Sequence, residues 1–394
     1  MLQALKGVRV VDMSHVIAGP LASFYLAQMG AEVVKVESPH GGDVMRHGRV
    51  GEGDTPDGFV ALNAGKSSAA IDIKTPEGAA AVRELARTAD VFIENFRPGV
   101  VARYGLDEAS IRELNPSVIY CSISGHGQQG SWSQRGAYDH VVQALTGMMM
   151  MSGDDPQGAP IKVGFPVIDV AVGMLAAMAI SAALYQRARD SKGQTIDASM
   201  VQAALMLMYP NASAFLSSGA EPQRVGNRGY TGSPTADTYR CADGWLATAA
   251  NTPAQFRKLT AVLGLQELCT DARALDLGAF NSDGGFVVAR DLPYLRERFC
   301  ASFATRSATD MEQRLNAVGV PAARVRRLGE FLREVEEGDK LPLPMLRFQQ
   351  GERIVRTPGL GFRSSDMEGD AMSRRAAESL GESTGRLVRP GTAT

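Results

Sequence analysis

An isolated aspartate in a long apolar stretch is the residue of this sequence best suited to chemistry. Asp169 is the only formally charged residue between Lys162 and Arg187, in the stretch VGFPVIDVAVGMLAAMAISAALYQR. Pro166 is typical of a helix start and would leave Asp169 at the cap or in the first turn, where free N–H groups and the helix dipole favour an anion. Two interpretations follow: an ordinary helix cap, or a poorly hydrated carboxylate that serves as a nucleophile or base.

The segment from Gly125 to Gly130, GHGQQG, matches the G-x-G-x-x-G pattern of dinucleotide-binding loops and directly follows a predicted strand. That fold also needs a helix that begins at the loop and an acidic strand end about 20 residues further on. The sequence that follows, SWSQRGAYDH, lacks the pattern of a helix start, and no clear acidic strand end occurs at that distance. A chance match in a chain with 42 glycines is therefore favoured over a dinucleotide site.

The segment NAGKSS ends like a phosphate-binding loop, but Val60 stands where that loop requires its first glycine, which excludes a nucleoside triphosphatase. Lys66 could still meet a phosphate as a point charge, although a surface lysine is the simpler interpretation. Metal-site spacing and a G-x-S-x-G serine elbow are both missing from the sequence, so we expect no metal and no serine hydrolase.

The composition limits the class of protein. The 394 residues carry a net charge of −2, with 21% charged and 44% hydrophobic residues, which is typical of a folded chain long enough for two domains. This charge gives no reason to expect binding to nucleic acid or to an anionic membrane. Residues 163–185 could span a bilayer by length, but Pro166, Asp169 and many alanines favour a buried helix. Four separate cysteines and no secretory signal predict a cytoplasmic protein.

The elements that must position these residues alternate along the first half of the chain. The segments VRVVDMS, AEVVKVES, SAAIDIK, DVFIENF, SVIYCSISG and TIDASM have the character of strands, and GPLASFYLAQMG and TPEGAAAVRELARTA have helical spacing. Strands separated by helices indicate a parallel sheet with both faces covered. From about residue 226, turn-rich sequence precedes two amphipathic helices, PAQFRKLTAVLG and SATDMEQRLNAVG, which predicts a smaller α+β domain.

Several phrases together make the chain resemble the class III CoA-transferases, the superfamily that includes formyl-CoA transferase, carnitine CoA-transferase and α-methylacyl-CoA racemase. They are LKGVRVVDMSHVIAGP, GAEVVKVESPHGGD, IENFRPGVVARYGLD, CSISGHGQQG and GFPVIDVAVGMLAAMAISAALYQR leading to GQTIDASM, in family order. The resemblance implies a Rossmann-like large domain at 1–200 that is completed by 340–394, and a small α+β domain at 225–325. The linkers would be 200–225 and 325–340, and the assembly an interlocked-ring homodimer.

The resemblance implies that Asp169 is the catalytic carboxylate, which would attack an acyl-CoA thioester to form an aspartyl anhydride and then an aspartyl-CoA thioester. CoA would be a substrate, with no permanently bound cofactor, and the partner a small carboxylic acid such as succinate, itaconate or mesaconate. The residues implied to line the active site are His15, Gly125, His126, Tyr138 and Asn251. The residues implied to bind CoA are Lys66, Asn95, Phe96, Arg97 and Arg103.

Two alternatives stay open on the sequence alone. Racemases of this superfamily have a histidine in the phrase GHD before the aspartate, whereas Tyr138 occupies that place here, in GAYDH. A racemase would need His126 as a substitute base beside Asp169, because α-proton exchange requires a base near neutral pKa. The second alternative is a CoA-binding protein without catalytic activity. The usual glycine run of the second domain is replaced by LATAANTPAQ, which contains Asn251.

Overall fold

The computed structural model describes residues 2–48, 55–229, 233–282, 285–338, 340–365 and 375–388. The chain forms two compact units. The first consists of Met1–Met149, Lys162–Ala220 and Leu343–Thr394, and the second of Met150–Ile161 and Glu221–Pro342. The short segment 150–161 thus belongs to the second unit, although the sequence pattern gives no sign of this excursion.

A six-stranded parallel sheet forms the centre of the first unit. Its strands are β1 (Arg9–Asp12), β2 (Glu32–Glu37), β3 (Ser67–Ala70), β4 (Val91–Glu94), β5 (Ile119–Ser124) and β6 (Gln194–Ser199). Their order, β3-β2-β1-β4-β5-β6, is that of the doubly wound nucleotide-binding folds. The predicted parallel α/β architecture is confirmed, and the chain reverses its direction of winding between β1 and β4, where such sheets form a crevice.

Helices of the first unit pack on the sheet or on one another through buried apolar residues, except Tyr209–Ser218, in which no residue is buried. They are α1 (Ala18–Gln28), α2 (Asp57–Asn63), α3 (Pro76–Arg87), α4 (Glu108–Leu114), α5 (Asp139–Leu145), α6 (Val167–Asp190), α7 (Met200–Leu207) and α8 (Tyr209–Ser218). In α3, the Thr75 hydroxyl accepts a hydrogen bond from the Gly78 N–H and Pro76 occupies the first turn, as expected for a strong helix start.

The apolar helix α6 packs closely against α1. A Cβ atom at Gly173 would lie 2.7 Å from the Ala18 carbonyl oxygen, so only glycine allows this approach. Among the described residues, α6 is a helix long and apolar enough to cross a membrane by length and composition alone. It is not buried all round, since Met174, Met178 and Tyr185 are about half to two thirds exposed. The predicted buried helix therefore has one covered and one uncovered side.

The C-terminal part of the chain returns to the first unit. Strands β10 (Met345–Gln350) and β11 (Arg353–Pro358) form an antiparallel hairpin that packs on α2 through a core containing Phe59 and Phe348. Further on, the Ser383 N–H donates to the Ser68 carbonyl at 3.0 Å, which fixes the segment before α14 (Thr384–Leu387) beside β3.

The second unit has its own antiparallel sheet and its own core. The strands β7 (Asp237–Cys241), β8 (Gly244–Thr248) and β9 (Ala322–Arg324) follow the order β7-β8-β9. The helices are α9 (Pro253–Leu263), α10 (Leu277–Phe280), α11 (Leu292–Ala304), α12 (Ala308–Ala317) and α13 (Leu328–Gly338). The two predicted amphipathic helices are α9 and α12, and their apolar sides join a core centred on Phe256, Phe299 and Phe303.

Candidate active site

A pocket of about 220 Å³ lies at the carboxyl end of the parallel sheet, where β1 and β4 diverge. This is the crevice in which doubly wound sheets bind ligands. Its walls are residues 15–18 after β1, 95–98 after β4, and 123–125 at the end of β5, with Ser133, Arg135, Ala137, Tyr138, Asp169 and Met200. The topology therefore brings residues that are far apart in sequence around the carboxylate of Asp169.

Asp169 is the third residue of α6, and it does not serve as the helix cap. Pro166 occupies the cap position and makes no side-chain cap hydrogen bond. The free N–H groups are instead capped by a different residue, Asp139, the first residue of α5. One of its carboxylate oxygens accepts from the Ile168 N–H at 2.7 Å and from the Asp169 N–H at 3.2 Å. Because the capping is done by Asp139, the ordinary-cap interpretation of Asp169 is wrong.

Asp139 is itself held in place by Gln143, one turn further along α5. The Gln143 amide nitrogen donates to the second oxygen of Asp139, and the Gln143 amide oxygen accepts from the Val163 N–H at 2.8 Å. Gln143 is completely buried. This chain of hydrogen bonds fixes the backbone before α6 and thereby the position of Asp169.

The surroundings of Asp169 disfavour the charged form of its carboxylate. Burial raises the pKa of Asp169 to about 6, and the negative charge of Asp139 adds to the rise. No group in the described ranges donates a hydrogen bond to its carboxylate oxygens, and no cation pairs with them. At neutral pH the group is ionised but poorly solvated, which is the state expected of a carboxylate nucleophile.

The loop after β1 presents His15 to the pocket. The side-chain amide of Asn95 holds this residue by its backbone: its oxygen accepts from the His15 N–H at 3.0 Å and its nitrogen donates to the His15 carbonyl at 2.8 Å. The imidazole lies against Phe96, with ring centroids 5.3 Å apart. Burial lowers the pKa of His15, so the ring is neutral at pH 7.

The turn after β4 is supported from below by Glu94. Its carboxylate accepts from the Phe96 N–H at 2.8 Å and from the Ser122 hydroxyl, and Gln128 donates to that hydroxyl at 2.6 Å. Burial raises the pKa of Glu94 to about 7. These contacts tie the turn 95–98 to the loop 125–130, so two walls of the pocket share one support.

Two arginines supply positive charge to the pocket. Arg97 is exposed, and its guanidinium passes so close to Gly136 that a Cβ there would lie 3.0 Å from one of its nitrogens. Arg135 places its guanidinium over the Trp132 ring, 4.1 Å from the centroid. In the part of the chain that the structure describes, neither forms an ion pair with a carboxylate. Both are therefore available to an anionic ligand.

The structure explains why the first residue of GHGQQG, Gly125, is a glycine. A Cβ on it would lie 2.2 Å from the Cβ of Ala137, so this position requires glycine for a close approach of two pocket walls. Residues 126–138 form turns, and α5 begins at Asp139, as expected for a loop that is not a dinucleotide fingerprint. Tyr138 lines the pocket and is 72% exposed.

His126 does not line this pocket. Its ring meets the edge of Trp132 at a centroid distance of 6.4 Å, and its Nδ1 atom is buried without a hydrogen-bond partner among the described residues. The structure thus does not bring His126 and Asp169 together around one cavity.

The structure corrects the expectation for Lys66. Its ammonium group is almost completely buried, 3.2 Å from an Asp12 oxygen, 2.9 Å from the Pro20 carbonyl and 3.0 Å from the Asn63 side-chain oxygen. An ammonium has three protons to donate, and all three have internal acceptors. Lys66 is therefore part of the structure beneath the loop after β1 and is not available to a phosphate.

Two further predicted residues lie elsewhere in the chain. Arg103 is exposed on a short 3₁₀ helix, Val101–Tyr104, and is not among the residues around the pocket. Asn251 belongs to the second unit, where its backbone carbonyl accepts from the Val287 N–H at 2.8 Å and its side-chain oxygen is buried without a hydrogen bond in the described ranges.

Sequence reasoning did not single out Asp139, Gln143 or Arg135. The sequence did carry a signal for Asp139. It is an acidic residue in the phrase GAYDH, and acidic side chains often cap the N-terminus of a helix, here that of α6. No signal existed for Gln143, whose role depends on the tertiary contact between the start of α5 and Val163.

The fold and the site together define a doubly wound α/β protein that holds a desolvated carboxylate and two arginines at the switch point of its sheet. The model of CoA-transferase family III matches residues 5–384. The chain therefore belongs to CoA-transferase family III and is a CoA-transferase.

Known relatives agree with this assignment. The chain is 42% identical over 276 residues to the succinate–glutarate CoA-transferase of Agrobacterium fabrum, covering 68% of either chain. It is 34% identical over 340 residues to the succinyl-CoA:mesaconate CoA-transferase of Haloarcula hispanica, covering 83% of this chain and 82% of the other. The crystal structure of a CAIB/BAIF family protein from Brucella suis is similar, with a TM-score of 0.83, 31% identity and coverage of 98% and 99% of the two chains.

Proposed function

We propose that this enzyme transfers CoA from an acyl-CoA donor to a small dicarboxylic acid through covalent intermediates on Asp169. The observation that carries the proposal is the isolated, half-buried carboxylate at the mouth of α6, whose pKa is raised to about 6 by burial and by Asp139. A carboxylate with this environment attacks a thioester more readily than a hydrated one, because it has less solvation to lose.

The reaction proceeds through exchanges at carbonyl carbons. A carboxylate oxygen of Asp169 attacks the thioester carbonyl, the C–S bond breaks, and an aspartyl anhydride and CoA thiolate form. The thiolate attacks the aspartyl carbonyl and releases the donor acid, which leaves an aspartyl-CoA thioester. The acceptor carboxylate attacks that carbonyl and regenerates the thiolate, which attacks the acceptor acyl group of the new anhydride. The acceptor leaves as its CoA thioester and Asp169 is restored.

The pocket suits this sequence of steps in two ways. Its walls after β1 and β4 can hold the CoA chain, with Asn95, Phe96 and Arg97 on one side, so that the returning thiolate stays beside the anhydride. The start of α6 also places the fully buried Ile168 next to Asp169, and such apolar surroundings slow the hydrolysis that would destroy the anhydride. In this proposal the CoA-binding set contains Asn95, Phe96, Arg97 and Arg103.

The proposal of a dicarboxylate acceptor has two supports. The relatives named above act on succinate, glutarate or mesaconate, as their names state. In addition, Arg135 lines the pocket and is not part of the CoA-binding set, so its guanidinium can pair with the second carboxylate of a dicarboxylic acid. A second candidate function, a racemase that uses His126, has no comparable support, because His126 lies outside the pocket wall.

We also propose that the enzyme works as an interlocked homodimer. Exposed apolar side chains on α7 and α8 accompany the uncovered side of α6, and a set of exposed apolar side chains of this kind marks an interaction surface. The side chains of this set are Met174, Met178, Tyr185, Leu205, Met206, Leu207, Tyr209, Phe215 and Leu216. A second copy of the chain is the occupant that the predicted ring assembly supplies, and light scattering of the purified protein tests it.

Trapping of the intermediates tests the covalent mechanism. The enzyme is incubated with succinyl-CoA, quenched with hydroxylamine, digested and analysed by mass spectrometry. We expect a hydroxamate on Asp169 in the wild type and in Asp190→Asn, the matched change at the exposed end of the same helix. Labelling at another residue, or transfer by Asp169→Asn at the wild-type rate, would contradict the mechanism.

An acceptor screen tests the substrate class. Glutarate, mesaconate, itaconate and the monocarboxylate butyrate are each offered with succinyl-CoA, and the CoA thioesters formed are identified by mass. We expect the dicarboxylates to be converted and butyrate to be converted far less. Uptake of deuterium at the α-carbon of a 2-methylacyl-CoA without any acceptor would favour the racemase instead. CoA binding without transfer to any acid would favour a non-catalytic protein.

A further inference from the structure

Val16, in the wall of the pocket, has a backbone conformation that valine rarely adopts. Its φ is 71°, in the left-handed region where a β-branched side chain is strongly disfavoured. Among the described residues, Ser191 is the other non-glycine residue with positive φ, and it ends α6 as an ordinary left-handed cap. A strained backbone such as that of Val16 persists only where the surrounding contacts over-determine it.

A buried ion pair provides these contacts. Both carboxylate oxygens of Asp43 accept from the Val16 N–H, at 3.1 and 3.3 Å. Lys35 Nζ donates to the Ser14 carbonyl at 2.8 Å and lies 3.1 Å from an Asp43 oxygen. Both side chains of the pair are almost completely buried. The pair thus fixes the backbone of Ser14 and of Val16, the two residues on either side of His15.

The remaining contact closes the set. Asn95 binds both backbone groups of His15, as described above, so three consecutive residues before α1 have their backbone fixed by side chains from other elements. A buried ion pair costs desolvation that its mutual attraction barely repays. Here the two charges also bind backbone groups: the Ser14 carbonyl and the Val16 N–H on either side of His15, and the Met45 N–H in the turn that follows Asp43.

We propose that Lys35 and Asp43 form a positioning pair, which holds residues 14–17 in the strained shape that binds the acyl-CoA substrate. The inference rests on the proposed function, because that function supplies the substrate. Neither residue of the pair lines the pocket, so both act through the backbone of the segment between β1 and α1. Without the pair, Val16 relaxes toward negative φ and the wall of the pocket changes shape.

A double-mutant cycle between residues 43 and 16 tests the proposal. Asp43→Ala removes the acceptor, and Val16→Gly removes the strain, because glycine adopts positive φ at little cost. The background Ser191→Gly is the matched control, since it places glycine at the other left-handed position, far along α6 in sequence. The KM for succinyl-CoA and the kcat with glutarate are measured for each single and double variant.

We expect Asp43→Ala to raise the KM for succinyl-CoA by about tenfold in the wild-type and Ser191→Gly backgrounds, with a smaller change in kcat. In the Val16→Gly background the same substitution raises KM by less than about threefold, because glycine keeps the shape without Asp43. An equal rise in all three backgrounds, or no rise in the wild type, overturns the proposal.

Unfolding in urea gives a second readout. For the urea midpoint, the effect of Asp43→Ala is larger in the Val16→Gly background, whereas for KM it is larger in the wild-type background. In the wild-type background, removal of Asp43 lets Val16 relax and recover its strain energy, so the urea midpoint falls less than it does in the Val16→Gly background. A contact that acts only on stability would not be coupled to Val16, so Asp43→Ala would then lower the urea midpoint equally in the wild-type and Val16→Gly backgrounds. If Asp43→Ala does not fold, Asp43→Asn keeps one oxygen toward the Val16 N–H, and the same cycle gives smaller effects of the same signs.

The failures of the two proposals are distinguishable. A wild-type enzyme that transfers CoA to no acid refutes the proposed function, and the urea midpoints still test the coupling between residues 43 and 16. A wild-type enzyme that is active, with no coupling in either readout, refutes only the positioning pair.

Discussion

Asp12 and Asp169 are two carboxylates of the same unit with opposite surroundings. Asp12 ends β1, is fully buried, accepts hydrogen bonds from the hydroxyls of Ser14 and Ser23, and forms an ion pair with Lys66 at 3.2 Å. Asp169 lies in the first turn of α6 and is half-buried. Within the described chain, its oxygens have neither a cation nor a hydrogen-bond donor. The first carboxylate is neutralised by a buried cation and the second is not.

The pKa values of the two groups reflect this difference. Burial alone would raise the pKa of Asp12, but the nearby charges of Lys66 and Lys35 outweigh it, so that the pKa lies below its usual value. For Asp169 no positive charge opposes burial, and Asp139 adds a negative one. Burial acts on both groups, and for these two carboxylates the presence or absence of a nearby cation sets the direction of the pKa shift.

The largest expected effect is on catalysis. Asp169→Asn keeps the size of the side chain but removes the nucleophile, so we expect the kcat for transfer from succinyl-CoA to glutarate to fall by more than about 10³-fold. The rate of glutaryl-CoA formation measures it. Asp190→Asn, at the exposed end of the same helix, is expected to stay within about twofold. A residual rate above one tenth of the wild type would break the distinction between the two carboxylates.

The next effect is on stability. Asp12→Asn leaves Lys66 and Lys35 buried with less negative charge nearby, so we expect the free energy of unfolding in urea to fall by about 3–5 kcal/mol. Glu84→Gln, which breaks the exposed pair with Arg87, is the control, with an expected loss below about 1 kcal/mol. A loss as small as that of the control would mean that the buried lysines do not depend on Asp12.

The sequence predicted the fold better than it predicted the site. Strand and helix patterns are local, and five of the six parallel strands described coincide with segments recognised from their β-branched or alternating residues, whereas β3 overlaps the predicted segment SAAIDIK only at residues 68–70 and lacks its isoleucines. Asp169 could also be singled out, because a lone charge in an apolar run is visible in one dimension. The role of Lys66 could not, since its acceptors Asp12 and Asn63 come together only through the pairing of β1, β2 and β3.

Backbone geometry was hidden from the sequence in the same way. Nothing in SHVIAGP marks Val16 as left-handed, because valine is the residue least expected there. The sequence places Asp169 at the cap or in the first turn of α6 without deciding between them, whereas in the structure Asp169 is in the first turn and Asp139 from another helix does the capping. Both failures concern the surroundings of the pocket, where contacts between distant segments override local rules.

The pH dependence of transfer sharpens the comparison further. Because Asp169 must be ionised and its pKa is raised to about 6, we expect kcat/KM to fall about tenfold for each pH unit below 6. Asp139→Asn still accepts the α6 N–H bonds but lacks the charge, so the midpoint moves to lower pH. Glu94→Gln is the control, since Glu94 also has a raised pKa, of about 7, and its removal is expected to leave the limb near 6 in place.

An unchanged midpoint in Asp139→Asn would show that burial alone sets the pKa of Asp169. If Glu94→Gln no longer shows the fall of kcat/KM near pH 6, that fall reports the titration of Glu94, which supports the turn 95–98, rather than that of Asp169. The profiles of kcat/KM over pH 4.5–8 separate these outcomes.

The smallest effect tests the cost of keeping a reactive carboxylate. The pKa of Asp169 is about 6 in the folded protein and ~3.9 in the unfolded chain, so the native state binds more protons between these values and loses stability as the pH rises through them. The full cost applies above pH 6 and vanishes below pH 4. After allowance for solvent screening of a half-buried group, Asp169→Asn should raise the free energy of unfolding by about 1 kcal/mol at pH 7.5. Because Asp12→Asn changes stability in the opposite direction at that pH, urea unfolding of the two variants at pH 4 and pH 7.5 distinguishes an anchoring carboxylate from one held at a cost for chemistry.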